Sequence, residues 1–400
     1  MKCEQPGRGP RVLIVSNGHG EDSLGVLFAQ ALRRAGDVHV DAFPIVGLGD
    51  AYRRARIPVV GVQQPMPTGG FVRQGLRPFL TDVRAGLLGL TRRQLRALAA
   101  MRDQYDWAVA MGDVLPLWLC GRRLRLPFVF FPTAKSDYIR PHLGIEVKWM
   151  RKWPEVVFPR DAKTARSLAA AGVKAVYVGN LMMDALAPSG QPLPARDEPL
   201  VALLPGSRGE AYRNARLLLG AVLRLPAEFR YALALASELD PAELAQVGQR
   251  IGWEWQPHEP TGAGETMGLV GTLQAGRRSV WVYKGRFADI LHAAEIVLGM
   301  AGTANEQAAG VGRPVVTCPG EGPQFTEKFV AAQKRLLGDA LLVTEPSPAA
   351  LAKGVLDVLA DRDVYERMAR VGRERMGEPG GAERAAKYCL ELEGLRAAGR

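Results

Sequence analysis

The sequence predicts an α/β protein made of two Rossmann-like βαβ domains facing across a cleft. Three observations carry this. Apolar, β-branched runs alternate with helical patterns in β–loop–α–β order. The runs end in Gly, Pro or polar loops, where open α/β sheets place ligands. A proline-rich break over 184–199 interrupts the rhythm, which then restarts. At 400 residues the chain exceeds one ordinary core, and 47% hydrophobic against 23% charged residues excludes a disordered chain.

The first strand is RVLIVS (11–16), bounded by SNGHG. Leu24, Leu27, Phe28, Ala31 and Leu32 then repeat at helical spacing and stop near Gly36, before a second strand over 38–47. Further strands are expected at 107–113, 127–133, 155–160 and 175–180. After DALAPSGQPLPARDEP (184–199), which reads as a linker, a strand is expected within 199–210 and a helix over 211–224. Strands at 231–237 and 279–285, a helix at 287–294 and a strand–loop–helix unit over 295–307 follow, then a strand within 313–320. A long helical stretch over 348–375 and a last helix over 382–397 close the chain, separated by GEPGG.

Cys3, Cys120, Cys318 and Cys389 are scattered, without C-x-x-C or clustered histidines, which argues against a disulfide scaffold or a structural zinc site and predicts a reducing compartment. MKCEQPGRGPR has no apolar signal segment, and no apolar run reaches spanning length, so the expected place is the cytoplasm or the inner face of the cytoplasmic membrane. The net charge is +11 and is unevenly spread. Residues 1–183 hold 27 Lys and Arg against 14 Asp and Glu, whereas the remainder holds 25 against 27. An anionic partner for the first half is the expectation. Residues 71–102 concentrate it, with seven arginines and one acid among aliphatic side chains, a pattern suited to anionic lipid headgroups. The interleaved residues are not stacking aromatics and lysine is absent, which argues against nucleic acid. A solvated face on a leucine-packed helix would read the same way.

Four loops could carry chemistry. SNGHGEDSLG (16–25) has Gly18 and Gly20 but no third glycine, and Glu21 and Asp22 would repel a pyrophosphate, so it is not a dinucleotide fingerprint. Its glycines would let an acceptor approach, with His19 or Glu21 contacting a hydroxyl; Asp22 reads as a helix-starting cap. Asp113 stands at the tip of an apolar strand in MGDVLP, as a base or as a turn residue before Pro116. LLPGSRGEAYRN (203–214) offers backbone N–H groups, the Ser207 hydroxyl and the Arg208 guanidinium to one anion, with Gly206 at the turn. GMAGTANEQ (299–307) places Gly302, Thr303 and Ala304 for close approach to a diphosphate and Glu306 for ribose hydroxyls. Gln324 lies in a further loop after a strand.

On SNGHGED, FPTAKSDY (131–138), VVFPRDA, AVYVGNLMMD, LLPGSRGE and GTANEQ, the chain resembles the lipid-A-disaccharide synthase family, and especially the proteins called lipid-A-disaccharide synthase-related. The resemblance implies a GT-B fold with a last helix crossing back to the first domain. It implies an acceptor- and membrane-facing domain over 1–183, the linker 184–199, a nucleotide-sugar domain over 200–378 and a crossover helix over 379–400. It further implies metal-independent, inverting hexosyl transfer from a UDP-sugar such as UDP-GlcNAc, as substrate rather than cofactor, to a lipid acceptor. Gly206, Ser207, Arg208, Gly302, Thr303, Ala304, Glu306 and Gln324 would hold the donor. Asp113 or His19 would be the base, with Gly18, Gly20, Glu21 and Lys135 on the acceptor side. A UDP-sugar 2-epimerase of the same fold and a non-catalytic lipid-binding protein are the competing readings.

Overall fold

The computed structural model describes residues 9–18, 20–63, 87–191, 193–194, 197–259, 261–392 and 395. Two compact units emerge, Met1–Asp184 with Pro379–Arg400, and Ala185–Glu378. His19 and residues 71–86 of the basic segment lie outside the described residues.

The first unit runs β1 (Arg11–Ser16), α1 (Gly20–Ala35), β2 (His39–Pro44), α2 (Asp50–Arg54), α3 (Leu87–Ala100), β3 (Trp107–Gly112), α4 (Val114–Leu119), β4 (Phe128–Pro132), α5 (Gly144–Lys152), β5 (Val156–Val157) and α6 (Ala162–Ala170). Its five strands are parallel in the order β2-β1-β3-β4-β5. Such a sheet is covered on both faces, which is why β1 and β3 are apolar almost throughout. Alternate side chains serve opposite cores. Val12, Ile14 and Val109 pack with Phe28 and Leu32 of α1, whereas Leu13, Val15 and Ala110 pack with Leu98, Leu117 and Met150 on the other side.

In the second unit β6 (Leu200–Leu204), α7 (Ala211–Val222), β7 (Arg230–Ala234), α8 (Pro241–Gln249), β8 (Glu254–Pro257), β9 (Leu269–Ala275), β10 (Arg278–Tyr283), α9 (Phe287–Ala293) and β11 (Ile296–Gly299) come first. α10 (Thr303–Gly310), β12 (Val315–Thr317), α11 (Glu327–Leu337), β13 (Leu341–Val343), α12 (Pro348–Ala360) and α13 (Arg362–Met376) complete it. The sheet order is β13-β12-β11-β6-β7-β10-β9-β8. Strands β13 to β10 in that order are parallel, and β9 and β8 add antiparallel edges, so this sheet is mixed. The Ala275–Arg278 reversal is short enough for a hairpin, which needs no crossover helix.

Three expectations are corrected. Residues 175–180 form no strand; Ala175 makes only an isolated bridge to Val157. The 155–160 strand is reduced to the two residues of β5. The 348–375 stretch is two helices, because the Asp361 side chain accepts from Val364 N–H at 3.0 Å and starts α13 afresh. The last helix, α14 (Gly381–Glu391), packs Ala385, Ala386 and Cys389 into the α1 side of the first core, as the crossing-back expectation requires.

Residues that resemble family motifs do structural work here. Asp184, ending VGNLMMD, accepts from the backbone N–H groups of Gly380, Gly381 (3.2 Å) and Ala382 (2.6 Å), so it caps α14. The Val178 carbonyl accepts from Arg384 Nε at 2.7 Å, taking an oxygen that a strand would have paired. The proline-rich segment beyond Asp184 is tied to the second unit. Ser189 N and Oγ donate to Asp289 Oδ1 (2.8 and 2.9 Å), and buried Arg286 donates to Gln191 O (2.7 Å) and Asp289 Oδ2 (2.7 Å).

Candidate functional site

In an open parallel sheet the ligand crevice opens at the carboxyl ends of the strands where the order reverses. In the second unit that point lies between β6 and β11, because β7 extends the sheet on one side of β6 and β11 on the other. The loop after β6 is Pro205-Gly206-Ser207-Arg208, and the loop after β11 is Met300-Ala301-Gly302. Both anion-type loops of the sequence therefore flank the switch point. Met300 N–H donates to Leu204 O at 2.8 Å, keeping the two exits side by side.

Gly206 has φ 103°, a conformation that favours glycine, and a Cβ there would sit 3.3 Å from the Met300 carbonyl oxygen. Ser207 and Arg208 are exposed beyond this turn, and the Arg208 guanidinium meets no carboxylate among the described residues. Gly302 precedes α10, with Thr303 exposed at its first turn and Glu306 half-buried one turn later. Gln324 is brought to the same end of the sheet. Glu210 Oε2 accepts from Gln324 N–H and Oε1 from Phe325 N–H, both at 3.1 Å, tying that loop to the turn that carries Arg208. All eight expected donor-side residues thus gather around one sheet end.

The residues holding these loops were not foreseen. Asn214, buried on α7, donates from Nδ2 to Pro205 O (2.9 Å) and Met300 O (3.3 Å), bridging both loops. Gln333 on α11 donates to Ala301 O (3.2 Å) and Gly302 O (2.9 Å) and accepts from Asn305. Polar residues at helical positions that should be apolar were the available signal.

The first unit's switch point lies between β1 and β3. There Asn17 N–H donates to Met111 O at 3.3 Å, and Gly112, with φ 132°, lets its Cα lie against Asn17 and Glu21. Gly18, Gly20, Glu21 and Asp113 consequently share one edge. Asp22 is turned away: it is buried and accepts from Ser16 Oγ (2.6 Å), which itself accepts from Tyr52 OH (3.0 Å). Burial, then the Asp22 charge, pushes the Tyr52 hydroxyl far up, so it stays a donor.

Asp113 Oδ1 accepts from Leu115 N–H at 2.8 Å as the N-cap of α4. The turn role weighed for it is real, and the same residue also borders a small hollow with Leu117, Phe130, Lys135, His142 and Glu146. Lys135 Nζ lies 2.5 and 2.6 Å from the two Glu146 oxygens, and Glu146 Oε2 also accepts from Leu143 N–H at 2.9 Å. Burial alone would raise the Glu146 carboxyl, but these hydrogen bonds and the Lys135 charge hold it below its ordinary value. Burial, partly offset by Glu146, lowers His142, whose buried Nδ1 has no hydrogen-bond partner among the described residues. Glu146 and His142 escaped notice because neither belongs to a Gly-rich loop. Among the described residues no group of three or more His, Cys, Asp or Glu is arranged to hold a metal ion.

Neither a protein-family model nor a characterised protein sequence matches the chain. Solved structures do match in fold. The calicheamicin glycosyltransferase CalG4 is 18% identical, covering 97% of this chain and 99% of its own, with a TM-score of 0.61. MurG of Acinetobacter baumannii is 14% identical over 96% of this chain and 100% of its own, at 0.60. The UDP-GlcNAc 2-epimerase of Neisseria meningitidis, solved bound to UDP-GlcNAc, is 13% identical over 96% and 99%, at 0.57. These likenesses identify the fold as GT-B, with two Rossmann-like domains.

Proposed function

We propose that the protein is a glycosyltransferase that moves a hexosyl group from a UDP-sugar to a lipid acceptor at a membrane face. The observation that carries this is the pairing of the Gly206–Arg208 and Gly302–Ala304 loops across the β6/β11 switch point, beside an exposed arginine with no carboxylate partner among the described residues. Backbone N–H groups, two hydroxyls and a guanidinium there suit a diphosphate. CalG4, a glycosyltransferase, and the epimerase solved bound to UDP-GlcNAc share the fold, which supports the reading.

In the proposed reaction the acceptor hydroxyl attacks the anomeric carbon while the bond from that carbon to the β-phosphate oxygen breaks. Asp113 or His19 takes the hydroxyl proton, with Gly18, Gly20, Glu21 and Lys135 lining the acceptor side. Arg208, Ser207 and the α10 N–H groups stabilise the charge arriving on UDP, the part a metal plays in other transferases, while Glu306 and Gln324 contact the nucleoside side. The reaction inverts the anomeric centre because attack comes from the opposite face.

Thermal stabilisation by UDP, UDP-GlcNAc, UDP-glucose, GDP, ADP and NAD tests the donor half. Uridine compounds alone should stabilise the protein, and Arg208→Ala should abolish the effect. A flat response sinks the reading and favours a lipid-binding protein without donor chemistry. UDP-sugar turnover without any acceptor would replace transfer by 2-epimerisation. Asp113→Asn should retain uridine stabilisation while lowering transfer on the order of 10²-fold or more if it is the base.

A further inference from the structure

The charge excess of the first half is sorted by the fold onto one layer. α3, α4, the turn Cys120–Leu124 and α5 pack on the same side of the first sheet, over Leu98, Leu117, Cys120, Leu124 and Met150. Among the described side chains of α3, residues 120–125 and α5, every exposed ionisable group is Arg or Lys. Arg92, Arg96, Arg122, Lys148, Arg151 and Lys152 belong to this set. The acid within it, Glu146, is buried on Lys135 and neutralised there. α1, α2 and α14, on the opposite side, mix both signs, with Glu21, Asp50 and Glu383 among their arginines.

The same layer exposes large aliphatic side chains. Ile145 is 50% and Leu143 47% accessible at the start of α5, and Leu115 is 40% accessible on the neighbouring α4. Ile145, Lys148 and Lys152 follow i, i+3, i+7 spacing and share one outward stripe, whereas Glu146 and Met150 face inward. Aliphatic side chains standing among exposed charges that on α3, residues 120–125 and α5 are all basic do not suit nucleic acid, which rewards stacking rings. They suit a bilayer with anionic headgroups, where the aliphatics enter the acyl boundary and the cations stay at the phosphates.

We propose that the outer face of α4 and α5, with the flanking arginines of α3 and the 120–125 turn, docks on an anionic lipid bilayer, with Leu143 and Ile145 as the inserting residues. The inference rests on the lipid half of the proposed function and not on the nucleotide half. It keeps the α3 arginines of the 71–102 segment but places the inserting residues, Leu143 and Ile145, outside that segment.

Flotation of the full chain with vesicles tests it, comparing pure phosphatidylcholine with phosphatidylcholine containing 30% phosphatidylglycerol. Binding is expected only with phosphatidylglycerol, falling as salt rises. Lys148→Glu with Lys152→Glu should weaken it on the order of 30-fold. Leu143→Ser with Ile145→Ser should leave residual binding that salt removes completely. Arg53→Glu with Arg54→Glu, on the opposite layer, should change little. Equal loss in that control, no binding to the anionic vesicles, or preference for a single-stranded oligonucleotide would overturn the proposal. Stabilisation by UDP is read on the same variants and should be unchanged. Absence of anionic-vesicle binding by the wild type, with its stabilisation by UDP intact, therefore refutes the docking surface alone.

Discussion

Lys135 and Glu146 show how one residue pair can hold a site edge in shape. With side-chain exposures of 19% and 6%, the pair is mostly withdrawn from water, and Glu146 also fixes the backbone of Leu143 next to His142. Removing one partner strands the other, so Lys135→Met should cost about 2–3 kcal/mol near neutral pH. The pH dependence follows from the direction of the Glu146 shift. Its folded value is depressed from the ordinary 4.5, so the stability it contributes is present above that value and is lost as pH falls through the lower folded one. In Lys135→Met burial is opposed only by the Leu143 N–H bond and His142, so the carboxyl rises relative to the wild type and protonation relieves the variant as pH falls. Urea titrations at several pH values should show the gap between the two proteins narrowing as pH falls. His142 is lowered from 6.5, so its unfolded form takes up a proton first, and the wild type loses stability as pH drops below that value. His142→Gln should remove that part of the acid sensitivity. A gap independent of pH in the first experiment would show that the pair is not ionised as described.

At the scale of elements, α14 depends on one carboxylate placed almost two hundred residues upstream. Asp184 serves three successive backbone N–H groups at the start of a helix whose other cap position is Gly380 in the left-handed region. Asp184→Ala should therefore destabilise the first unit by roughly 1–2 kcal/mol, and Asp184→Asn by less, as read from denaturant midpoints at constant m-value. This element also shows where the sequence was informative and where it was not. Apolar runs such as VLIV and VALL announced buried parallel strands, and PGSR and GTAN announced the loops that follow them, because strand burial and turn chemistry are local properties. AVYVGN has the composition of a strand, yet its Val178 carbonyl is taken by Arg384 and its neighbour Asp184 by α14, contacts that no local pattern encodes. The β8 and β9 edge strands were missed for a related reason: EWQP is largely exposed and lacks the apolar alternation that marks a half-buried strand. Asn214, Gln333 and Glu146 are polar side chains whose importance appears only once the loops they bridge are adjacent in space.

For the whole molecule, the two units have separate cores. The larger cluster draws only on residues between Val201 and Met368, while the two clusters flanking the first sheet draw on residues up to Leu181 and then on Ala382 to Leu395. The second unit is continuous in sequence, whereas the first is completed by the returning C-terminal helix. Its entering segment is also anchored internally, by Ser189 on Asp289 and by Gln191 on Arg286. A fragment spanning residues 185–378 should consequently fold by itself, and it carries every residue proposed for the donor. It should retain stabilisation by UDP in thermal unfolding. The converse fragment, residues 1–378, lacks Ala382, Ala385, Ala386 and Cys389 and leaves their apolar seat on α1 open, so its first unit should unfold at a markedly lower temperature while the UDP-responsive transition stays where it was. Two transitions with UDP moving only one of them would tie nucleotide binding to the near-neutral unit and leave the strongly basic one for the acceptor and its surface. A single transition moved as a whole by UDP would mean that the two cores unfold together, and the division of labour would then have to be tested residue by residue.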